Sequence, residues 1–281
     1  PEALISFESL VSLHDQEGAL KRVLRSHRPR QALYRGWPLS IERYEAFYDA
    51  LVERRVKLVN KPYQYEICQL LPACYDVLEG NTPTSRWFDH ADLDMDAVMA
   101  VLAEFAGRPV KVRDHLDANN AQIIPADADR DAVFRLVSHY LMERGDRLTG
   151  GLLFREHIEL DTLGLDPASG ASRRAIWSIV CVDGRPLMVL PCWADVDPTP
   201  KDLPMPRFSA LASRIDSRFF VMLVARRDDG AWTVLDLMDG QVARLPATTS
   251  ARAFYSALDE VFRLLPPAAS MSGIFPAAKD P

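Results

Sequence analysis

Apolar residues in the first third of the chain alternate between short runs and a helical spacing. The runs QALYRGW and VKLVN have the length of strands, and the segment between them, SIERYEAFYDALVERR, repeats apolar side chains about every three to four residues. A second helix is predicted to begin at Pro62 and a third, DMDAVMAVLAEFAG, to end at Gly107, because proline fits a first helical turn and glycine follows a last one. This order predicts a small α/β domain with a largely parallel sheet over residues 1–108.

The pattern changes at Pro109, after which longer strands dominate. Two helices interrupt these strands, at DRDAVFRLVSHYLMERG and around residues 207–215, and a third, SARAFYSALDEVFRLL, follows them. The predicted strands follow one another in antiparallel order and are PVKVRDH, GLLFREHIEL, AIWSIVCV, RPLMVLPCW, FFVMLVARR and WTVLDL. Long antiparallel strands with few covering helices predict an α+β domain over residues 109–265, followed by a flexible tail at 266–281.

Composition and charge restrict the classes of partner. The 281 residues carry 33 basic and 39 acidic side chains, a net charge of -6 with the signs interspersed, which argues against nucleic acid or an anionic membrane as the main partner. No apolar run approaches the roughly 18 residues that span a bilayer. The four cysteines lack C-x-x-C spacing, so we expect no disulfides and a reducing, cytoplasmic setting. The chain begins at Pro1 without a methionine, which is compatible with a piece excised from a longer protein.

Common enzyme motifs are absent from the sequence. It contains no G-x-G-x-x-G, G-x-x-x-x-G-K-[ST], G-x-S-x-G or H-E-x-x-H, so nothing supports a Rossmann, P-loop, hydrolase-elbow or zincin site. The six histidines never reach the spacing of a zinc site. Asp92, Asp94 and Asp96 alternate like the start of a calcium loop but lack its later glycine and glutamate, so they are predicted to cap a helix.

Two predicted strands carry charged side chains in an arrangement that suits a site. In GLLFREHIEL, strand alternation puts Glu156 on an apolar face, so its carboxylate needs a donor such as an arginine, a ligand or backbone N–H groups. In PVKVRDH, the basic side chains Lys111, Arg113 and His115 share one face and could meet phosphates. The alternative for both strands is a solvated face, with one internal ion pair at Glu156.

The stretch WTVLDLMDGQVARLP allows two interpretations. Asp239-Gly240, with apolar runs on either side, predicts the tight turn of a β-hairpin. Asp236, Asp239 and Gln241 could also lie at the mouth of a metal and phosphate site. The two interpretations are compatible, and the hairpin is the predicted geometry.

Taken in order, several segments resemble the ATP-grasp superfamily, and within it the clade of compact ATP-grasp domains. The resemblance covers about Ala32 to Pro246 and is most specific in FREHIEL and DGQVARLP. It implies a fold class of α/β plus α+β, with a small α/β pre-domain followed by two α+β lobes whose antiparallel sheets grip ATP. The segments that carry it are LYRGW, VKLVNKPYQYEICQLLP, PVKVRDH, GGLLFREHIEL, DGRPLMVLPCW and RFFVMLVARRDDGAWTVLDLMDGQVARLP.

The resemblance also implies a function. Members of this superfamily are carboxylate–amine ligases that use ATP and Mg²⁺ and form an acyl-phosphate intermediate. The implied partners are small-molecule or peptide carboxylates and amines. By the same resemblance, Glu156, His157 and Ile158 match the hinge that binds adenine, Glu159 is placed for the ribose hydroxyls, and Arg113 matches the phosphate-binding lysine position.

Four further residues receive site roles. Asp236 matches the metal-binding acid of the last strand, and Asp239 lies just beyond it as a second metal candidate. Arg174 lies just upstream of AIWSIVCV and could supply a catalytic arginine if the register has shifted. Arg35 is at a predicted strand end, where it could bind the acceptor carboxylate; the alternative is a structural or surface arginine.

The sequence departs from the family pattern at charged positions. Arg113 replaces a lysine, and Leu223 stands where a metal-binding acid is expected. Ile176 and Ser178 stand where an acid and an arginine are expected. Three interpretations stay open: an active ligase, a degenerate ATP-grasp domain that serves as a nucleotide-sensing or protein-binding module without turnover, and an unrelated α+β protein.

Overall fold

The computed structural model describes residues 2–11, 15–88, 94–116, 120–145, 148, 151–193, 196–197, 199–246 and 249–264. The chain divides into two compact units, Pro1–Arg244 and Leu245–Pro281. Described helices of the first unit are α1 (Phe7–Val11), α2 (Gln16–Ala19), α3 (Ile41–Glu53), α4 (Pro62–Gln69), α5 (Leu71–Leu78), α6 (Met95–Glu104), α7 (Arg130–Arg144) and α8 (Met205–Ala212). Its described strands are β1 (Arg30–Ala32), β2 (Val56–Leu58), β3 (Ser85–Phe88), β4 (Val110–Asp114), β5 (Gln122–Ile124), β6 (Leu152–Glu156), β7 (Thr162–Leu165), β8 (Ser172–Arg174), β9 (Ile176–Val182), β10 (Arg185–Pro191), β11 (Phe219–Arg226) and β12 (Trp232–Asp239).

The N-terminal part of the first unit is built on two parallel strands. β1 pairs with β2 in a register that begins at Arg30↔Val56, and the chain crosses between them through α3. Tyr44 and Phe47 of α3 are buried in a cluster with Leu58 of β2. The parallel pairing predicted for this part is therefore confirmed, although β3 does not join the sheet.

The first four-stranded sheet is antiparallel and has the order β3-β6-β4-β5. Val98 of α6 and Val137 of α7 pack on one face of it, against Val112 and Phe154. Thus β3 and α6, which precede Pro109, pack with strands that follow it. The domain boundaries at 108–109 and 265–266 stay predictions.

The second four-stranded sheet is also antiparallel and has the order β10-β9-β11-β12. β9 and β10 are joined at Asp183-Gly184, whose φ angles of 45° and 72° are both positive, as a type I′ turn requires. This tight turn sets Cys181 opposite Pro186, as predicted. All four cysteines are free, which agrees with the prediction of no disulfides.

The C-terminal end of β12 differs from the sequence prediction. The strand runs through Asp239, and the backbone N–H groups of Val242 and Ala243 both donate to the Asp239 carbonyl. No strand follows this turn in residues 240–246 or 249–264, so the predicted hairpin at Asp239-Gly240 is wrong. A Cβ on Gly240 would lie 2.6 Å from the ring of Phe219, so the glycine is required for this close approach rather than for a hairpin.

Helix ends follow the predicted caps. Pro62 lies in the first turn of α4, and Gly107 follows α6 with a φ of 70°. The Asp94 carboxylate accepts from the backbone N–H of Asp96 at 3.2 Å, which confirms it as the N-cap of α6. Asp92 lies outside the described residues.

The second unit contains α9 (Ala251–Leu264). Phe254 and Leu258, four residues apart, are buried, whereas Arg252 and Asp259 face solvent. This spacing makes α9 an amphipathic helix. The tail predicted at 266–281 lies outside the described residues. None of the described helices has the length and apolar character needed to cross a membrane.

Candidate active site

The inner face of the first sheet carries three cations. Lys111 of β4 pairs with Arg155 of β6, and Arg113 pairs with Leu153. Directly opposite residues share a face and alternate residues return to it, so Lys111, Arg113 and Arg155 all point to the same side. Arg113 and Arg155 are buried and Lys111 is half-buried. The predicted basic face of β4 is therefore covered rather than solvated.

An acid from the second sheet meets these cations. Arg113 donates from Nη2 to Oδ2 of Asp236 at 2.8 Å, so the structure brings together the residues predicted for phosphate and for metal. Arg155 donates from Nη2 to the Thr82 hydroxyl at 2.6 Å and to the Val234 carbonyl at 3.3 Å. Within the described part of the chain, Arg155 and Lys111 have no carboxylate within ion-pair distance.

The electrostatics of this face favour an anion. Burial lowers the pKa of Arg155 to about 10. It also lowers the pKa of Lys111, to which Arg155 and Arg113 contribute by charge repulsion. Burial, helped by Arg113, lowers the pKa of His115 to about 4, and its buried Nδ1 has no hydrogen-bond partner in the described residues. A phosphate group would offset this excess of positive charge and supply the missing acceptors.

Protein ligands for a cation are scarce on the facing sheet. Leu190, Ser178, Leu223 and Asp236 lie side by side across β10, β9, β11 and β12. Asp236 is the one acid in that row, because the position expected to carry another is Leu223. Among the residues that the structure describes, no three His, Cys, Asp or Glu side chains form a group that could hold a metal ion. The donor set fits phosphates and does not fit a Mg²⁺ site made by protein carboxylates.

Asp239 lies on the opposite face of β12 from Asp236. It is fully buried, its Oδ2 accepts from Asn60 Nδ2, and its Oδ1 accepts from the Gln241 backbone N–H at 2.8 Å. Both oxygens are thus occupied by protein donors, and the predicted role of Asp239 as a metal ligand conflicts with this geometry. The reason is that three positions along a strand reverse the direction of a side chain.

A buried polar network surrounds Asp239. Asn60 also donates to the Phe219 carbonyl at 2.7 Å, and Gln241 Nε2 donates to the Tyr44 hydroxyl at 2.7 Å. Burial raises the pKa of Asp239 to about 6. This network connects the N-terminal layer to the end of β12 and so fixes the strand that carries Asp236.

The predicted adenine hinge lies at the end of β6. Glu156 forms an ion pair with Arg108, which confirms the expected arginine partner. The backbone N–H of His157 donates to the Pro109 carbonyl at 2.9 Å. Ile158 is half-buried, and the exposed Glu159 contacts His157 Nε2 at 3.1 Å. These side chains have protein partners, and the segment is available to a nucleoside mainly through its backbone.

Two arginines lie away from the Arg113–Asp236 pair. Arg174 Nη1 donates to the Leu160 carbonyl at 3.0 Å and lies 3.8 Å from Glu159, so its contacts are with the hinge segment. Arg35 donates to three backbone carbonyls of the turn after β12, at 2.8, 3.0 and 2.9 Å. These contacts favour the structural alternative for Arg35; its binding of an acceptor carboxylate stays a prediction.

Comparison with known proteins identifies the fold. Over residues 80–258 the sequence matches a family described as an ATP-grasp domain, the third family of its clade. D-cycloserine synthetase DcsG aligns with 82% of this chain and 83% of its own, at 15% identity and a TM-score of 0.56. D-alanine–D-alanine ligase from Bacillus anthracis aligns with 79% of this chain and 76% of its own, at 14% identity and a TM-score of 0.52. A search of curated proteins finds no match.

A further solved structure is aligned over less of its length. The ATP-grasp ligase PsnB complexed with a minimal precursor aligns with 77% of this chain and 66% of its own, at 17% identity and a TM-score of 0.45. The chain therefore spans slightly less than two thirds of that relative.

The comparisons confirm the fold class predicted from sequence, with helices and antiparallel sheets arranged as in ATP-grasp proteins. The family match covers more than half of the chain and includes Lys111, Arg113, Arg155 and Asp236. The chain belongs to the ATP-grasp superfamily, in the clade family that this match defines.

Proposed function

We propose that this chain is an ATP-dependent ligase that joins a carboxylate to an amine. The observation that carries the proposal is the buried face of Lys111, Arg113 and Arg155, which meets Asp236 between two antiparallel sheets of an ATP-grasp fold. Fixed cations in a covered site lower the energy of a phosphoryl group as charge develops on it. The substrate carboxylate would displace ADP at the γ-phosphorus, and the amine would then displace phosphate from the acyl phosphate.

Each group of residues has a distinct role in this proposal. Lys111, Arg113 and Arg155 hold the phosphates, and the cover of the second sheet excludes water from them. The backbone at 156–159 holds the nucleoside. Magnesium, when bound to the phosphates of ATP, would contribute further charge neutralisation, with Asp236 as its nearest protein acid. The substrates are small-molecule or peptide carboxylates and amines.

A second candidate function is nucleotide sensing or protein binding without turnover. The observation that favours it is the row of Leu190, Ser178 and Leu223, which presents no charge beside Asp236. Such a site would retain the phosphate cations but have fewer groups to assist transfer.

The first experiment measures nucleotide binding by calorimetry and thermal shift with ATP, ADP and GTP. We expect ATP to raise the melting temperature and Arg113→Met to weaken ATP binding at least about tenfold, since a charge-assisted contact is lost. Arg135→Met, at an exposed position on α7, is the control.

The second experiment measures ADP release against a panel of amino acids, peptides and amines. Release that requires both a carboxylate and an amine supports the ligase. ATP binding without release across the panel favours the sensing module, and absence of binding at millimolar ATP contradicts both functions.

A further inference from the structure

We propose that Asp236 serves as an internal counter-ion for Arg113 which the phosphates of ATP displace, so that nucleotide binding depends on fixed cations rather than on a divalent metal. This inference rests on the proposed ATP-binding function. It assigns Asp236 a role different from that of the metal-binding acid expected from the family resemblance.

The balance of charge is the first argument. The face carries the three cations Lys111, Arg113 and Arg155 and the single anion Asp236. Two of these cations have no carboxylate partner among the described residues, and a buried unpaired cation is costly. A triphosphate would satisfy all three. The charge that a metal ion usually supplies to phosphates is therefore already present in the protein.

The asymmetry of burial within the ion pair is the second argument. The side chain of Arg113 is 4% exposed, whereas that of Asp236 is 23% exposed. When an anion takes the place of the carboxylate, Asp236 can move toward water while Arg113 stays in place. The arginine is thus held ready by a partner that can leave at a small cost in solvation.

The surroundings of Asp236 are the third argument. Its neighbours in the row across the sheet are Leu223 and Ser178, and the next acid on β12, Asp239, is on the other face with both oxygens occupied. A cation at Asp236 would have one protein carboxylate as ligand and a buried guanidinium 2.8 Å from that carboxylate. This repulsion opposes metal binding.

The experiment is calorimetric titration of the full chain with ATP, once with Mg²⁺ and once with EDTA. We expect the wild-type dissociation constants to differ by less than about threefold between the two buffers. In EDTA we expect Asp236→Asn to bind ATP at least about tenfold more tightly than wild type, because Arg113 no longer has a charged competitor. Tripolyphosphate, which lacks a nucleoside, should compete with ATP in EDTA.

The chain offers a matched control in a second arginine–aspartate pair. Arg218 Nε lies 2.9 Å from Asp183 Oδ1, and the two side chains are 9% and 24% exposed. Asp183→Asn should leave both dissociation constants unchanged.

Wild-type binding that is at least about tenfold tighter with Mg²⁺, together with loss of that gain in Asp236→Asn, would overturn the inference and leave the ligase proposal intact. This wild-type comparison decides the question even if the variant fails to fold. Absence of binding in both buffers would instead overturn the proposed function as well.

Discussion

Asp236 and Asp239 are the same residue type on the same strand, yet the structure uses them in opposite ways. Asp236 faces an arginine in a setting where cations outnumber anions. Asp239 faces neutral amides, Asn60 and Gln241, and both its oxygens are occupied. One face of β12 thus keeps unsatisfied charge for a ligand, and the other consumes its polar groups within the fold.

The difference teaches how a site can be separated from its support. A saturated network is rigid, because each hydrogen bond restricts the others and an unmade bond is costly. An unbalanced charge cluster is reactive toward ligands, because an anion improves its energy. Placing the two on opposite faces of a strand lets the network hold the strand while the cluster stays open to exchange.

The largest effect should follow from breaking the saturated side. Asp239→Ala leaves the donors of Asn60 and Gln241 buried and unmatched, so we expect the free energy of unfolding to fall by about 3 kcal/mol. Asp236→Ala should cost only about 1 kcal/mol, because its removal lets water reach Arg113. Urea denaturation of both variants checks this contrast, and equal losses would contradict it.

An intermediate effect should follow from neutralising the open side. Arg155→Met removes a buried cation that has no carboxylate partner in the described part of the chain, so the free energy of unfolding should change by less than about 1 kcal/mol. ATP affinity should fall at least about tenfold. In the control Arg218→Met the order should reverse, with a loss of stability and no change in ATP affinity, since Arg218 is paired with Asp183. Calorimetry and denaturation of the two variants provide the measurement.

The smallest effect is a difference in pH dependence. The pKa of Asp239 is raised from 3.8 to about 6, so its contribution to stability is present below pH 3.8 and is lost as pH rises through about 6. The pKa of His115 is lowered from 6.5 to about 4, so its contribution is present above pH 6.5 and is lost as pH falls through about 4. The two trends oppose each other in the window from about pH 4 to 6.

Single substitutions should separate these trends. Between pH 4.5 and 6, stability should rise more steeply with pH in Asp239→Asn than in wild type, by at most about 1.4 kcal/mol per pH unit. In His115→Gln the slope should become flatter or reverse. Unchanged slopes in both variants would show that neither group changes its proton occupancy on folding.

Local pattern is enough to predict one side of the site. Alternation along PVKVRDH places Lys111 and Arg113 on one face, and the apolar neighbours of Glu156 require the partner that Arg108 supplies. The same alternation leaves Arg155 on a face expected to be solvated, because it shows which residues share a side and not what covers it. The position of Arg155 inside an apolar strand is a signal, since a solvated arginine there needs no apolar neighbours.

Long-range contacts account for what the sequence does not predict. Asn60 and Asp239 are 179 positions apart and Arg113 and Asp236 are 123 apart, and no local spacing reports such a meeting. The hairpin prediction at Asp239-Gly240 fails for the same reason. Asp-Gly favours a turn, but the buried acceptors of Asp239 and the ring of Phe219 decide which turn forms.

The two arginines also link the sheets mechanically. Arg113 of β4 is attached to the Asp236 side chain, and Arg155 of β6 is attached to the Val234 carbonyl, so both anchor neighbouring strands of one sheet to β12 of the other. One of these struts uses a side chain that an anion can replace, and the other uses backbone that it cannot. Ligand binding would therefore release one strut and keep the other, turning a stiff double attachment into a pivot about Arg155.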